Sequence, residues 1–279
     1  MCESKHESLK KGNREVITDF YVSTDITSEE QAFKYHVFVR LNAKKITFKN
    51  VSFMHCIFEH CYLNNCVFDS CDFTGCKFIA SNFHQSAFSG CSFKYATFER
   101  THLDDDILLS EAPQEENLKM HFARSLRMNY QQIGDAKAVN KAINVELEAT
   151  SIYLKKSWQS KETYYTKKYP GIKNNLIQFI KWSEFSILNF IWGNGESVIK
   201  FIRFLALIIL SIGIYDAVNS SNPHNLKEYW SSFLNAPSIF LGVSLPENYS
   251  NGVLTLIAGA KLISFALLTT LLIKRFSRR

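Results

Sequence analysis

From Phe48 to Leu108 a large apolar residue returns every five positions, thirteen times without a break. Phe53, Phe58, Phe68, Phe73, Phe78, Phe83, Phe88 and Phe93 fill most of these slots, and Leu63 interrupts them once. Two residues before each stands a smaller side chain, among them Cys56, Cys61, Cys66, Cys71, Cys76, Ser81, Ser86 and Cys91. The remaining three positions are mostly polar. Neither a helix, with its period of 3.6, nor a strand, with its period of 2, produces such a pattern. A chain that turns a corner every five residues does. The large and the small residue then both point inward and the other three face water. The eight phenylalanines are therefore the expected core.

This pattern resembles the pentapeptide-repeat family, whose motif reads A(D/N)LXX with Phe allowed at the Leu slot. The resemblance covers roughly residues 46–110, and Phe38 in the same register takes the expected domain to 38–110, after an N-terminal segment 1–37. It implies a right-handed, four-sided β-solenoid with four repeats per coil. Thirteen repeats give a little over three coils, a stack of roughly 15 Å at about 4.8 Å per layer. In that geometry residues 20 apart stack, so Cys56 lies under Cys76 and Cys71 under Cys91. The C-x4-C spacing is the repeat itself and lacks the C-x2–4-C pairs of a zinc site. The thiols read as packing residues of a reducing compartment. Some members of the family imitate the charge of DNA. Here seven acidic residues stand against four basic ones between Ile46 and Leu108, which argues against that role.

After Glu111-Ala-Pro the period changes. Leu118, Phe122, Leu126 and Tyr130 are four apart, as one face of a helix requires. Gly134-Asp135 breaks the helix, with Asp135 placed to cap a second one carrying Val139, Ile143, Leu147, Leu154 and Trp158. The connector is expected over 111–195. From Gln114 to Arg203 there are fourteen Lys/Arg and eight Asp/Glu. The excess suits a solvated, membrane-proximal face. It also suits an anionic-ligand surface for a nucleotide or oligonucleotide, for which Arg124, Arg127, Lys137 and Lys141 are the candidates. Residues 174–192 are rich in Ile, Leu, Phe and Trp and suit a helix lying in a bilayer interface. Gly193-Asn194-Gly195 allows a sharp elbow after it.

Two segments can span a bilayer, which takes about 20 apolar residues. One runs from about Val198 to Val218, the other from about Gly252 to Ile273, interrupted only by Lys261. The stretch between them, Asn219–Asn251, contains a semi-apolar piece from Tyr229 to Leu245 that could enter the membrane and return. Lys200 and Arg203 precede the first span, and Lys274, Arg275, Arg278 and Arg279 follow the second. The intervening loop has Lys227 alone, beside Glu228 and Glu247. The bias of basic residues predicts both termini in the cytoplasm and a two-span protein of the cell inner membrane. Met1 to Arg14 is charged and has no apolar stretch of the kind a secretory signal needs.

The whole order resembles prokaryotic pentapeptide-repeat proteins with a C-terminal ion-channel domain, which carry a "GD" turn and a "GxGE" elbow before the first span. Gly134-Asp135 and Gly193-Asn194-Gly195-Glu196 match. The resemblance implies a two-transmembrane channel domain over 196–279, a tetrameric homo-oligomer, and a re-entrant pore loop at Ser238-Ile239-Phe240-Leu241-Gly242. The sequence departs from the potassium filter TVGYG there, so potassium selectivity does not carry over. Lys261 is the second pore candidate. Its alternatives are snorkelling, a neutral state or an ion pair with Asp216. The function expected is an oligomeric ion channel or pore, gated by a cytosolic solenoid and an anionic ligand or regulatory protein. A membrane-anchored interaction scaffold and a pore-forming anti-phage effector are the alternatives. No nucleophile–base pair, Gly-rich phosphate loop or metal-spaced His/Cys set appears, so neither an enzyme nor a cofactor is expected.

Overall fold

The computed structural model describes residues 14–27, 33–219, 226–246 and 249–277. The start of the chain to Asn13, the Lys227 side chain, Glu247, Arg278 and Arg279, on which part of the topology expectation rests, lie outside the described residues. The chain divides into two units, 1–156 and 157–279.

The first unit opens with twelve short strands: β1 (Val16–Thr18), β2 (Tyr21–Val22), β3 (Ile26–Thr27), β4 (Val37–Val39), β5 (Asn42–Lys44), β6 (Thr47–Lys49), β7 (Ile57–Glu59), β8 (Tyr62–Asn64), β9 (Val67–Asp69), β10 (Lys77–Ile79), β11 (Ala87–Ser89) and β12 (Thr97–Glu99). They form three parallel faces, β1-β4-β7-β10-β12, β2-β5-β8 and β11-β9-β6-β3. A fourth side is held by single bridges, Ser52 to Asp72 and Asp72 to Ser92. Register runs at 20 residues, with Phe58 beside Phe78 and Phe78 beside Phe98. Five strands on one face enclose about four full turns of a β-solenoid.

The corners follow from backbone chirality. His55, His60, Asn65, Ser70, Ala80, Gln85, Tyr95 and Arg100 all have φ between 46° and 58° or at 60°, and Gly75 and Gly90 take 71° and 64°. Every fifth residue is thus left-handed, a strain of about 1–2 kcal/mol for each residue bearing a Cβ. Gly75 is required for a second reason: a Cβ there would lie 2.3 Å from Nδ1 of His55.

The interior repays that strain. Phe38, Phe58, Phe78 and Phe98 form one column with ring centroids 5.0, 5.1 and 4.9 Å apart. Phe53, Phe73 and Phe93 form another at 5.2 and 5.0 Å, and Phe48, Phe68 and Phe88 a third at 4.9 and 5.0 Å. These spacings are the layer spacing of paired strands, so rings stack wherever the backbone ladder does. Phe53, Phe58, Phe68, Phe73, Phe78, Phe83 and Phe93 are buried, while Phe88 is only partly so.

The solenoid departs from the five-residue lattice at both ends. A further coil precedes residue 38: Ile17 pairs with Phe38, Val22 with Ala43 and Ile26 with Phe48, and Phe33 stacks on Phe53. Its inward residues fall at intervals of five, four and seven, so the period is lost while the ladder continues. Residues 16–27 therefore belong to the solenoid and not to a separate N-terminal segment. At the other end the last slot is not a corner. Asp106 accepts a hydrogen bond from the Ile107 amide and opens a single helical turn, α1 (Ile107–Ser110). Leu108 stays fully buried over the core.

Next, α2 (Glu116–Ile133) lies against β12 and closes this end of the stack. Phe122 meets Phe93 and Phe98 at 5.9 and 6.0 Å, and Leu126 and Tyr130 are fully buried. The last coil would otherwise present unpaired backbone groups. Side chains take their place. Ser125 accepts from the Phe98 amide, Gln132 from Arg100 and Asn129 from Thr101, while Asn129 donates back to the Thr101 carbonyl at 2.7 Å. Gly134, left-handed at φ 78°, ends α2. Asp135 then accepts from the Ala138 amide and starts α3 (Ala136–Gln159).

In the second unit, Trp158 at the end of α3 packs on Phe179 and Trp182. α4 (Thr163–Lys168) is followed by α5 (Ile172–Trp192), α6 (Val198–Val218), α7 (Leu226–Leu241) and α8 (Asn251–Ser277). α6 and α8 are long and apolar enough to cross a membrane. The hydrophobic stripe of α5 is largely exposed, with Ile172, Leu176, Ile180 and Ile187 among its outward residues.

Candidate functional site: the apolar helices

Three consecutive left-handed residues, Gly193, Asn194 and Gly195, with φ of 66°, 54° and 82°, turn the chain from α5 into α6. Ser197 caps α6 by accepting from the Lys200 amide. Basic residues gather here. Lys200 donates to the Asn189 side chain at 2.7 Å, Arg203 to the Phe190 carbonyl at 3.0 Å, and Lys274 of α8 pairs with Glu196.

α7 packs along α6. Gly213 is what permits this, since a Cβ on it would lie 2.7 Å from Cδ1 of Phe233. Ile212, Ala236, Ile239 and Phe240 are buried together with Tyr249. Tyr249 donates to the Asp216 carboxylate at 3.2 Å.

The proposed pore-loop slot has a different conformation from the one a filter needs. Ser238, Ile239, Phe240 and Leu241 are the last turn of a helix. Pro237 sits inside that helix, where it cannot donate to the backbone ladder. Only Gly242, left-handed at φ 75°, leaves it. A carbonyl filter needs extended backbone with its oxygens turned to the ion path. Here the Ser238 carbonyl accepts from Val243 and Ser244, and the Ile239 carbonyl from Gly242. Ile239 and Phe240 are buried in one cluster with Ile212 of α6 and with Tyr249. The sequence signal for a helix was weak because the segment is short, half polar and contains a proline.

Lys261 finds its partner at this helix end. Its ammonium donates to the Leu241 carbonyl at 3.0 Å, and a Cβ on Gly242 would stand 3.3 Å from Nζ. The pairing with Asp216 does not form, since that carboxylate meets Tyr249. A cation at the C-terminal end of a helix is favoured by the carbonyl dipoles there. Among the described residues no carboxylate pairs with Lys261.

The anionic-ligand candidates in the first unit are mostly engaged. Arg124 and Arg127 both donate to Glu146 at 2.8 Å, and Lys141 pairs with Asp105 at 3.2 Å. Lys137 is exposed and stands apart from those pairs. Sequence counting could not see Glu146 as the residue that joins the two arginines.

The six described cysteines point inward. Each thiol donates to a carbonyl 23 residues earlier: Cys61 to Phe38, Cys66 to Ala43, Cys71 to Phe48, Cys91 to Phe68. Ser81 and Ser86 make the same bond with their hydroxyls, to Phe58 and Leu63. Burial pushes Cys56 and Cys61 up to about 11, and Cys76 further in the same direction. Among the described residues no group of three His, Cys, Asp or Glu side chains is placed to hold a metal.

No curated protein matches the chain. Among solved structures, QnrB1 in a trypsin-treated form, a plasmid-mediated fluoroquinolone resistance protein, is 16% identical over 33% of this chain. The match spans 62% of that protein, and with a TM-score of 0.18 it carries no argument about function. Residues 33–112 match the family model described as a pentapeptide repeat region, and this is the part of the chain in which the coils of the β-solenoid stack.

Proposed function

We propose that the protein is a subunit of an oligomeric membrane pore that prefers anions, with the solenoid as its cytosolic sensing part. The observation that carries this reading is Lys261, a lone cation inside an apolar helix, held at the C-terminal end of a short helix packed between two potential spans. A charge at the centre of a spanning helix costs on the order of 2.5–3.5 kcal/mol on insertion scales unless it meets water or a partner. Its one bond to a neutral carbonyl is a small return for that cost. Copies of the chain around an axis would provide the water, with Lys261 facing the lumen. The ring of ammonium groups would then attract anions and repel cations in a low-dielectric passage. Ser238–Gly242 re-enters the membrane in this reading as a helix whose end holds the lysine. It is not an extended filter.

The test is the reversal potential of the purified full-length protein in bilayers with a salt gradient. The expected result is an anion preference that Lys261→Glu shifts toward cations, with Lys261→Leu changing conductance while assembly persists. A selectivity equal in all three forms removes Lys261 from the ion path. An assembled oligomer without current supports a membrane-anchored scaffold instead.

A further inference from the structure

Beside Lys261 a cleft of about 770 Å3 opens between α6, the end of α7 and one face of α8. Phe201 and Leu205 form one wall, Phe240 the head, and Phe265 and Leu268 the other wall. Volume and lining fall in the range of small-molecule sites, which are apolar with a few placed polar groups. Four polar side chains belong to it, Lys261, Ser264, Thr269 and Thr270. The Lys261 ammonium has three donors and spends one on the Leu241 carbonyl. Ser264 lies three residues further on, on the same helix face. It is 5% exposed, and its hydroxyl is buried with no hydrogen-bond partner among the described residues. Such a hydroxyl ordinarily costs free energy unless something answers it. Thr269 and Thr270, lower in the cleft, are satisfied by carbonyls of their own helix, Phe265 and Ala266. The demand for a partner is therefore concentrated at one end, around Lys261 and Ser264, and the rest of the cleft is apolar.

We infer that this cleft binds an amphiphilic anion: an acidic head, carboxylate or sulfonate, on Lys261 and Ser264, and an alkyl body between α6 and α8. Charge complementarity selects the head, since no described carboxylate answers the ammonium. The apolar walls select the body and reject a small inorganic ion as the preferred occupant. The site rests on the geometry of α6–α8 within one chain and does not require the pore to conduct. If the pore reading holds as well, such an anion occupies the lysine that draws anions in, and acts as a blocker.

The probe is an alkyl sulfonate of about ten carbons carrying a diazirine, cross-linked to the full-length protein in nanodiscs of zwitterionic lipid, with the labelled residues mapped by mass spectrometry. Labelling should concentrate on the stretches containing Leu205 and Phe265. Unlabelled decanesulfonate should compete, and decanol or decyltrimethylammonium should not. Lys261→Met should cut the labelling about tenfold or more and Ser264→Ala severalfold, Lys261→Arg should retain it, and Lys261→Gln, which keeps an N–H donor but no charge, should lose it like Lys261→Met, which separates loss of charge from loss of the bond that holds α7. Label spread evenly over outward residues such as Leu256 and Ile273, or competition by decanol as strong as by the sulfonate, overturns the site. Because the readout needs no current, a silent pore with specific labelling sinks only the channel reading, and a conducting pore with diffuse labelling sinks only this one.

Discussion

The solenoid and the long apolar helices α6 and α8 deal with apolar surface in opposite ways. In the solenoid the chain covers itself. Rings stack on rings one coil away, thiols donate to carbonyls one coil away, and α2 supplies side chains to the exposed edge of the last coil. In α6 and α8 only 17% and 11% of the most apolar stretch is buried. Their apolar surface is left largely uncovered by the rest of the chain. One region is complete within a single chain and the other is defined by what surrounds it. Substitutions should therefore act locally in the first and through assembly in the second.

The largest expected effect is in the solenoid core. Phe73 is fully buried between Phe53 and Phe93. Phe73→Asp places an unpaired charge there and should unfold the first unit, a loss above about 4 kcal/mol. Thr74→Ala, one position on, removes a hydroxyl contact to Ser92 and should cost about 1 kcal/mol. Thermal melts of the two variants side by side would show the contrast. Similar losses would mean that inward and outward positions are not distinct.

The cap comes next. Asn129→Ala leaves the Thr101 amide and carbonyl without their partners and should cost about 2–6 kcal/mol, counting roughly 1–3 for each of the two buried groups left unsatisfied. Hydrogen exchange should rise first at Thr101 and its neighbours. Uniform exchange across the solenoid would mean that α2 is not its cap.

In the second unit, Gly213→Leu should separate α6 from α7 by driving a side chain into Phe233. Oligomer size on native gels should change, while the solenoid's melting temperature stays the same. A shift in both would show the two regions to be more tightly linked than their separate cores suggest.

A smaller effect is expected from pH. The thiols of Cys56 and Cys61 are pushed up to about 11 by burial, against about 8.5 in an unfolded chain. A raised thiol keeps its proton in the fold, so this contribution is full below the unfolded value and is lost as pH climbs from about 9 to 11. Denaturant melts should show solenoid stability falling through that window, and the Cys56→Ser, Cys61→Ser double variant should flatten the fall. An unchanged slope would mean that the thiols titrate as if exposed.

How much of this was legible in the sequence follows the same division. The interior of the solenoid could be read because contacts 20 residues apart repeat as a lattice, and the lattice is visible as a period. The first coil escaped because its inward residues, Ile17, Val22, Ile26 and Phe33, are spaced unevenly. The helical face of Leu118, Phe122, Leu126 and Tyr130 was visible, but not that it lies on the end of the stack. Nothing local marks Asn129 as the partner of Thr101. In the second unit the two long apolar helices and the elbow were legible from composition and glycines. The partner of Lys261 was not, because it is a backbone carbonyl at the end of a helix that Pro237 obscured.

The central claim is that Lys261 faces a water-filled passage formed by several copies of the chain. Cysteine accessibility tests it most directly. In a cysteine-free background, Lys261→Cys and Leu262→Cys would each be exposed to a charged methanethiosulfonate during recording in a bilayer. Lys261 meets the end of α7, whereas Leu262 is 68% exposed on α8. If Lys261 faces the passage and Leu262 faces away from it, modification should be rapid at 261 with a change in current, and slow at 262. Equal reactivity at both positions, or modification at 262 alone, contradicts the claim.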